Sequence, residues 1–184
     1  MKKITTFLVV ILFACGFSAC EKDDICSADT PTTPRLMVQF YGGNDVLKPV
    51  TNLKAQAVGQ ENGVVFNETA TGDARYLTNA NAIALPLDLS ADKVVYELTL
   101  NANDTTGVFV RKDTIEINYR RNTIYVSRAC GYKMLFDLNT LPSGPAGIIL
   151  NNTTPQVPGN WIQSIFVVKP NLESENETHV KIYF

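Results

Sequence analysis

Hydrophobic and polar residues alternate along most of the chain after residue 35. The stretch "KVVYELTL" at 93–100 shows this most clearly, because Val94, Tyr96, Leu98 and Leu100 share one face. The same period of two recurs in "RLMVQFY", "NLKAQAV", "IALPLDL", "TIEINY", "TIYVSR", "YKMLFDL", "IQSIFVV" and "HVKIYF". This alternation is typical of strands that are buried on one face. We therefore expect a chain made mostly of strands.

These strand patterns follow one another at short spacing and are separated by Gly, Pro, Asn and Asp. This organisation predicts an all-β fold: a single immunoglobulin-like or transthyretin-like β-sandwich of about seven to nine strands over residues 35–184. One hairpin can be placed more closely. Side-chain parity in "DTIEINYRRNTIYVSRAC" pairs Tyr119 with Ile124 and predicts a turn from Arg120 to Thr123.

The N-terminus reads differently from the rest of the chain. A basic start is followed by apolar residues that end near Ala14, a run shorter than the roughly 20 residues that span a bilayer. The segment before Cys20, "FSA", resembles a bacterial lipobox, which implies a lipoprotein signal peptide at 1–19 and diacylglycerol on Cys20. Cys15 is a rival acylation site, although cleavage there leaves a very short apolar region and places a bulky Phe13 at position −2.

An acidic run follows the lipobox cysteine. It comprises Glu21, Lys22, Asp23 and Asp24, and it is similar to the export tag of Bacteroidota surface lipoproteins. That similarity implies a lipid-anchored outer-membrane protein with its domain exposed at the cell surface; the alternative is a solvated acidic linker. The prolines in "TPTTP" bias the chain to extended conformations. Residues 20–34 are therefore interpreted as an acylated tether with a Pro/Thr stalk.

Two cysteines remain after Cys15 is removed and Cys20 is acylated. An exported chain meets an oxidising compartment, so Cys26 and Cys130 are expected to form a disulfide. The alternative is a pair of free thiols, with Cys130 merely buried. A zinc site needs four N or S ligands, and the chain contains a single histidine. The sequence therefore predicts no metal site.

Charge and motifs narrow the function classes. After the first nineteen residues are removed, 14 basic and 18 acidic residues remain, a formal net charge of −4, which argues against a nucleic-acid partner. No Gly-x-Ser-x-Gly elbow and no P-loop occurs in the sequence. We therefore expect no catalytic residues, no cofactor and no enzymatic activity. His179, at the start of the last predicted strand, is expected on the surface.

A few residues keep other functions open. Trp161 follows the turn-rich "NNTTPQVPGN" and is a candidate ligand contact through stacking on a sugar ring; the alternative is that it anchors the loop to the core. Three carboxylates on predicted strands could in principle pair as in glycosidases, namely Glu97, Glu116 and Asp137. The tripeptides at Asp104 and Asp113 resemble the Asp-Thr acceptors that carry O-glycans in Bacteroidota envelope proteins.

Four stretches together carry a wider resemblance: "CEKDDIC", "TPTTPRLMVQFY", "DTIEINYRR" and "YVSRACGYKMLFDL". They resemble a family of small, uncharacterised Bacteroidota lipoproteins that share a domain of unknown function. The resemblance implies that Cys26 and Cys130 are linked, and it implies no activity. We expect a non-enzymatic envelope component that is anchored to the membrane through Cys20 and either binds an envelope protein or has a structural role in the cell envelope. The alternative is a carbohydrate-binding module with a glycan partner.

Overall fold

The computed structural model describes residues 25–30, 32–139, 145–153 and 158–184. These residues divide into two compact units. The smaller unit, called here the hairpin unit, comprises residues 25–30 and 124–133. The larger unit contains the described residues of 32–123 and 134–184. The predicted all-β fold is confirmed, since the only helical element described is a 3-10 helix at Gly72–Tyr76.

Eleven strands occur in the described residues. They are β1 (Leu36–Tyr41), β2 (Leu53–Ala57), β3 (Leu77–Thr78), β4 (Ala82–Leu85), β5 (Lys93–Leu100), β6 (Arg111–Ser127), β7 (Gly131–Leu138), β8 (Ile148–Leu150), β9 (Ser164–Val167), β10 (Asn171–Leu172) and β11 (Val180–Tyr183). This is more than the expected seven to nine. Two of the additional strands, β3 and β10, contain only two residues each, which is too short to leave an alternating pattern in the sequence.

The strands form two sheets. The smaller sheet has the order β4-β1-β11-β9, in which β1 and β11 are parallel and the other pairs are antiparallel. The larger sheet has the order β10-β7-β6-β5-β2-β3, and β8 also pairs with β6. The first and last strands of the domain therefore lie side by side in the smaller sheet.

The core of the larger unit is built from the inward faces of both sheets. Leu36, Val38 and Phe40 alternate inward from β1 and belong to the same buried cluster as Leu98 of β5 and Ile117 of β6. Each of these side chains is fully buried, and burying a large aliphatic or aromatic side chain contributes about 1.5–3 kcal/mol. The period-two pattern in the sequence thus corresponds to the sandwich core.

Two buried tyrosines fasten the connection between β4 and β5. The Tyr119 hydroxyl accepts the Asp88 N–H at 2.8 Å and donates to the Asp88 carbonyl at 3.0 Å. The Tyr96 hydroxyl donates to the Pro86 carbonyl at 2.7 Å. Burial raises the pKa of both hydroxyls to about 12, because the low-dielectric core disfavours the phenolate. Both tyrosines therefore remain neutral hydrogen-bonding groups at physiological pH.

The turn predicted from Arg120 to Thr123 is wrong. Strand β6 runs without interruption through those residues to Ser127, and the chain turns at 128–130 instead. Arg, Asn and Thr all tolerate extended backbone. Gly131 has a φ of +68°, a conformation that glycine adopts without steric cost. Parity alone could not find this turn, because a long strand and two shorter strands share the same alternation.

The last two residues of the predicted stalk, Thr33 and Pro34, lie against the rest of the larger unit. The Thr33 hydroxyl accepts the Met134 N–H at 3.0 Å, and Pro34 is buried. Arg35 follows, and its guanidinium and backbone N–H all bond to the Glu175 carboxylate. The end of the proline-rich segment is therefore part of the larger unit.

Candidate functional site

The disulfide at the start of the described chain is the first candidate feature. Cys26 and Cys130 are bonded, with their Cα atoms 4.8 Å apart and a separation of 104 positions in sequence. The predicted pairing is confirmed. The bond joins the segment that follows the acidic run to the turn between β6 and β7. Because Cys26 lies six residues after Cys20, the bond limits how far the turn can move from the predicted anchor.

Local hydrogen bonds shape both partners of this bond. The Ser127 hydroxyl accepts the Cys130 N–H at 3.0 Å, and Gly131 supplies the positive φ that closes the turn. On the other side, Thr30 N–H donates to the Ser27 carbonyl at 3.0 Å. Two short turns therefore present the cysteines to each other, and the disulfide holds the hairpin unit together covalently.

Large apolar side chains are exposed around the disulfide. Ile25 is 82% exposed, Tyr125 57% and Tyr132 70%. The rings of Tyr125 and Tyr132 meet edge to face with their centroids 5.4 Å apart. Ile25 and Tyr125 also line a recess of about 460 Å³ together with Arg128. This group forms a continuous aromatic and aliphatic surface within the hairpin unit.

The proposed lipid and export residues cannot be placed. Cys20 and the run from Glu21 to Asp24 lie outside the described residues, so they remain sequence-based predictions. The signal peptide at 1–19 lies outside as well. No helix in the described part of the chain has the length and apolar character needed to cross a bilayer.

Trp161 is packed into the core of the larger unit. It is 8% exposed, its ring contacts Phe40 and Phe184, and its indole N–H donates to the Leu98 carbonyl at 3.2 Å. An indole held in this way presents no open face to a sugar ring. Its position matches the alternative that Trp161 anchors its loop.

Asp113 has a structural role that the sequence did not indicate. Asp113 is only 2% exposed. One carboxylate oxygen accepts the Asn160 N–H at 2.7 Å and the Asn151 amide at 2.8 Å; the other accepts the N–H groups of Trp161 and Ile162 at 2.8 and 2.9 Å. A buried carboxylate with four donors is well compensated. Asp113 therefore holds the loop that delivers Trp161 to the core, and no local motif indicated this.

His179 is buried, so the expected surface position is wrong. Its Nδ1 accepts the Met37 N–H at 2.9 Å, next to the parallel β1–β11 pair. Burial lowers the pKa of His179 below its usual value, because the charged imidazolium is poorly solvated there. Alternation gave only the side-chain parity of His179, whereas its burial depends on contacts with segments distant in sequence, such as the bond to Met37.

The three carboxylates considered for hydrolysis are each engaged locally. Glu97 bonds to Lys112, Glu116 to Lys93, and Asp137 accepts the Asn171 amide. Each carboxylate therefore bonds to a side chain of a neighbouring strand. In the described residues, no group of three or more His, Cys, Asp or Glu side chains could hold a metal ion.

The two candidate glycosylation tripeptides differ in accessibility. Thr105 is exposed in the loop between β5 and β6. That loop is organised by Asp104, whose carboxylate accepts N–H groups from Thr106 and Phe109. Thr114 is half-buried on β6, and its N–H donates to the Asn151 side chain at 2.9 Å. Of the two sites, only Thr105 is presented to a modifying enzyme.

Comparison with known protein families shows which family the chain belongs to. Residues 52–184 match the family described as "Family of unknown function (DUF6452)". The chain belongs to the DUF6452 family. No curated protein and no solved structure matches it. The DUF6452 match covers the larger unit from Asn52 and also the β6–β7 turn with Cys130, while Cys26 precedes it. The expected resemblance to an uncharacterised domain is confirmed at this level.

Proposed function

We propose that this DUF6452 protein is an envelope lipoprotein: a β-sandwich held at a membrane by lipid on Cys20. The observation that carries the proposal is the Cys26–Cys130 disulfide. Structural disulfides persist in oxidising compartments, so the bond supports export of the chain, and the lipobox-like "FSAC" supports export through a lipoprotein signal. Two or three acyl chains on one residue anchor a protein firmly, at about 0.8 kcal/mol per buried methylene.

The acidic run after Cys20 supports a more specific location. By its similarity to the export tag of Bacteroidota surface lipoproteins, it favours the outer membrane and the cell surface. The acidic run lies outside the described residues, which begin at Ile25. The location is therefore proposed from the sequence alone.

The role proposed for the domain is to bind another envelope protein. Its support is the edge strand β9, which pairs with β11 on one side and has no neighbour on its other side in the described sheet order. Phe166, Val167 and Val168 are exposed there, and no charge occurs from Trp161 to Val168. Proteins usually protect such edges with charge or proline. An extended segment of a partner could add to this edge by backbone pairing.

The carbohydrate-binding alternative loses its original support. It depended on an open Trp161, and the indole is buried between Phe40 and Phe184. A glycan array remains a direct measurement of that alternative: binding that is lost in Trp161→Ala, in a variant that still folds, would restore it.

Metabolic labelling with an alkyne fatty acid tests the anchor. The wild-type chain should be labelled and should float with membranes, and Cys20→Ser should lose both properties because the acceptor thiol is gone. Cys15→Ser is the matched control and should keep the label. Labelling that survives in Cys20→Ser but is lost in Cys15→Ser would move the anchor to Cys15. Absence of the label from the wild-type chain would reject the lipoprotein proposal.

Protease shaving of whole cells tests the location. Replacing Lys22, Asp23 and Asp24 by alanine should convert a protease-accessible domain into a protected one while leaving the lipid label unchanged. An accessible domain in this variant would reduce the acidic run to a linker.

Site-specific photo-crosslinking tests the partner surface. A photoreactive amino acid at Phe166 should give a crosslinked species of one defined mass in cells, and the same probe at Phe109 should not. Phe109 is the matched control because it is also an exposed phenylalanine, and it lies on a loop. Identical crosslinking patterns at both positions would contradict a specific role for β9.

A further inference from the structure

The hairpin unit carries an exposed apolar surface that its own fold does not use. Ile25, Tyr125 and Tyr132 form this surface, and the edge-to-face contact between the two tyrosines keeps both rings at the exterior. The residue that covalently closes the unit, Cys26, directly follows Ile25. A contiguous group of large exposed side chains in a small unit usually marks an interaction surface.

The covalent path from Cys20 decides what this surface can reach. Cys26 lies six positions after Cys20, and a fully extended chain of that length spans about 20 Å. The disulfide passes this limit on to Cys130 and its turn. A lipid on Cys20 would therefore keep the hairpin unit within about 20 Å of the lipid attachment point. At that distance its exposed side chains can reach the polar headgroup region, which is about 5–8 Å thick on each side of the hydrocarbon core.

We propose that the hairpin unit docks on the lipid surface through Ile25, Tyr125 and Tyr132. This inference rests on the proposed lipid anchor at Cys20. Tyrosine rings place their apolar body against acyl chains and their hydroxyl among headgroups, and Ile25 adds an aliphatic contact. Arg128 lines the same recess as Ile25 and Tyr125, and its guanidinium can bind a lipid phosphate.

The near-neutral net charge of this region favours binding through apolar side chains in the headgroup region over attraction to anionic lipid. The tether and the hairpin unit together hold four acidic and three basic side chains: Glu21, Asp23, Asp24 and Asp29 against Lys22, Arg128 and Lys133. A near-neutral surface gains little from anionic lipid, unlike a polybasic segment. Docking should therefore occur on zwitterionic phosphatidylcholine and should change little with salt.

Hydroxyl-radical footprinting on vesicles tests this inference independently of natural acylation. The mature chain, residues 20–184, is coupled through the Cys20 thiol to a maleimide lipid in phosphatidylcholine vesicles, and the Cys20→Ser chain in solution is the reference. Modification of Tyr125 and Tyr132 should slow by roughly threefold or more on vesicles, since side chains at headgroup depth lose most of their contact with water. Phe109, exposed in the larger unit, should be modified at the same rate in both samples.

A double variant separates docking from passive shielding by a nearby membrane. In Tyr125→Ser/Tyr132→Ser, the protection of Ile25 should disappear if the tyrosines hold the unit on the bilayer. Unchanged protection of Ile25 would overturn the proposal, as would equal modification of the tyrosines with and without vesicles. Concentration-dependent protection in solution would assign the surface to a second copy and would also overturn it.

These outcomes are distinct from failure of the anchor. Absence of fatty-acid label in cells rejects the lipoprotein proposal, whereas the maleimide-coupled chain still reports whether the surface docks. A labelled protein whose tyrosines stay fully reactive on vesicles keeps the anchor and loses the docking surface.

Discussion

The carboxylate of Asp113 should be one of the largest single contributors to stability in the larger unit. Asp113→Asn keeps the shape of the side chain but replaces one acceptor oxygen with an NH₂ group. Asp113 now accepts four donors, two on each oxygen: the N–H groups of Asn160, Trp161 and Ile162 and the amide of Asn151. The new NH₂ group would therefore face two donors. Two N–H groups would then remain buried without an acceptor.

The magnitude follows from the hydrogen bonds that are lost. A hydrogen bond to a charged group contributes about 1.5–3 kcal/mol, and each donor that is left buried without an acceptor costs about 1–3 kcal/mol. We expect Asp113→Asn to lower the free energy of unfolding by about 3–4 kcal/mol. At roughly 2–4 °C per kcal/mol for a chain of this size, the melting temperature should fall by about 10 °C.

The single tryptophan of the chain makes this prediction easy to measure. Trp161 is the residue that the Asp113 network holds in place, so its emission should shift to longer wavelength as the loop loosens. Urea unfolding followed by this emission and by circular dichroism measures the change in free energy. Asp73→Asn, at an exposed position, is the matched control and should change stability by less than about 0.5 kcal/mol. A loss below about 1 kcal/mol in Asp113→Asn would refute the reasoning.

Three further predictions concern stability. Gly159→Ala should destabilise the same loop by several kcal/mol, because its Cβ would lie 2.2 Å from an Asp113 carboxylate oxygen; Gly43→Ala, with open space around it, should be neutral in the same urea titration. The free energy of unfolding should fall as pH drops below about 6.5, the usual pKa of histidine. Burial lowers the pKa of His179 in the folded chain, and protonation removes the acceptor of the Met37 N–H. The His179→Gln variant should show a smaller dependence of this free energy on pH. Reduction of the disulfide should lower the melting temperature, since it closes a loop of about a hundred residues, worth at most about 4–5 kcal/mol by chain entropy; an unchanged melting temperature would contradict this.

In the larger sheet, side-chain alternation predicted which residues of a strand are buried but not where the strand ends. Alternation in 93–100 reports the burial of β5 directly, because neighbouring side chains of a strand point to opposite faces. The same parity failed at Arg120–Thr123, where β6 continues. Parity carries no information on where a strand ends, and the turn depended on the backbone of Gly131. The pairing of Cys26 with Cys130 could be predicted because few cysteines remain once the lipobox is recognised.

Local patterns in the sequence were enough to predict the all-β class, through side-chain alternation, and the disulfide, through the small number of cysteines. The lipid anchor on Cys20 rests on a short motif and stays a prediction. The burial of Trp161 and His179, and the hydrogen bonds from Asp113 to a distant loop, became visible in the three-dimensional fold. Burial depends on which segments cover a residue, and these segments lie far away in sequence: Trp161 packs on Phe40, and His179 bonds to Met37. The exposed tyrosines of the hairpin unit were likewise invisible as a group, because Tyr125 and Tyr132 become neighbours only when the chain turns between them.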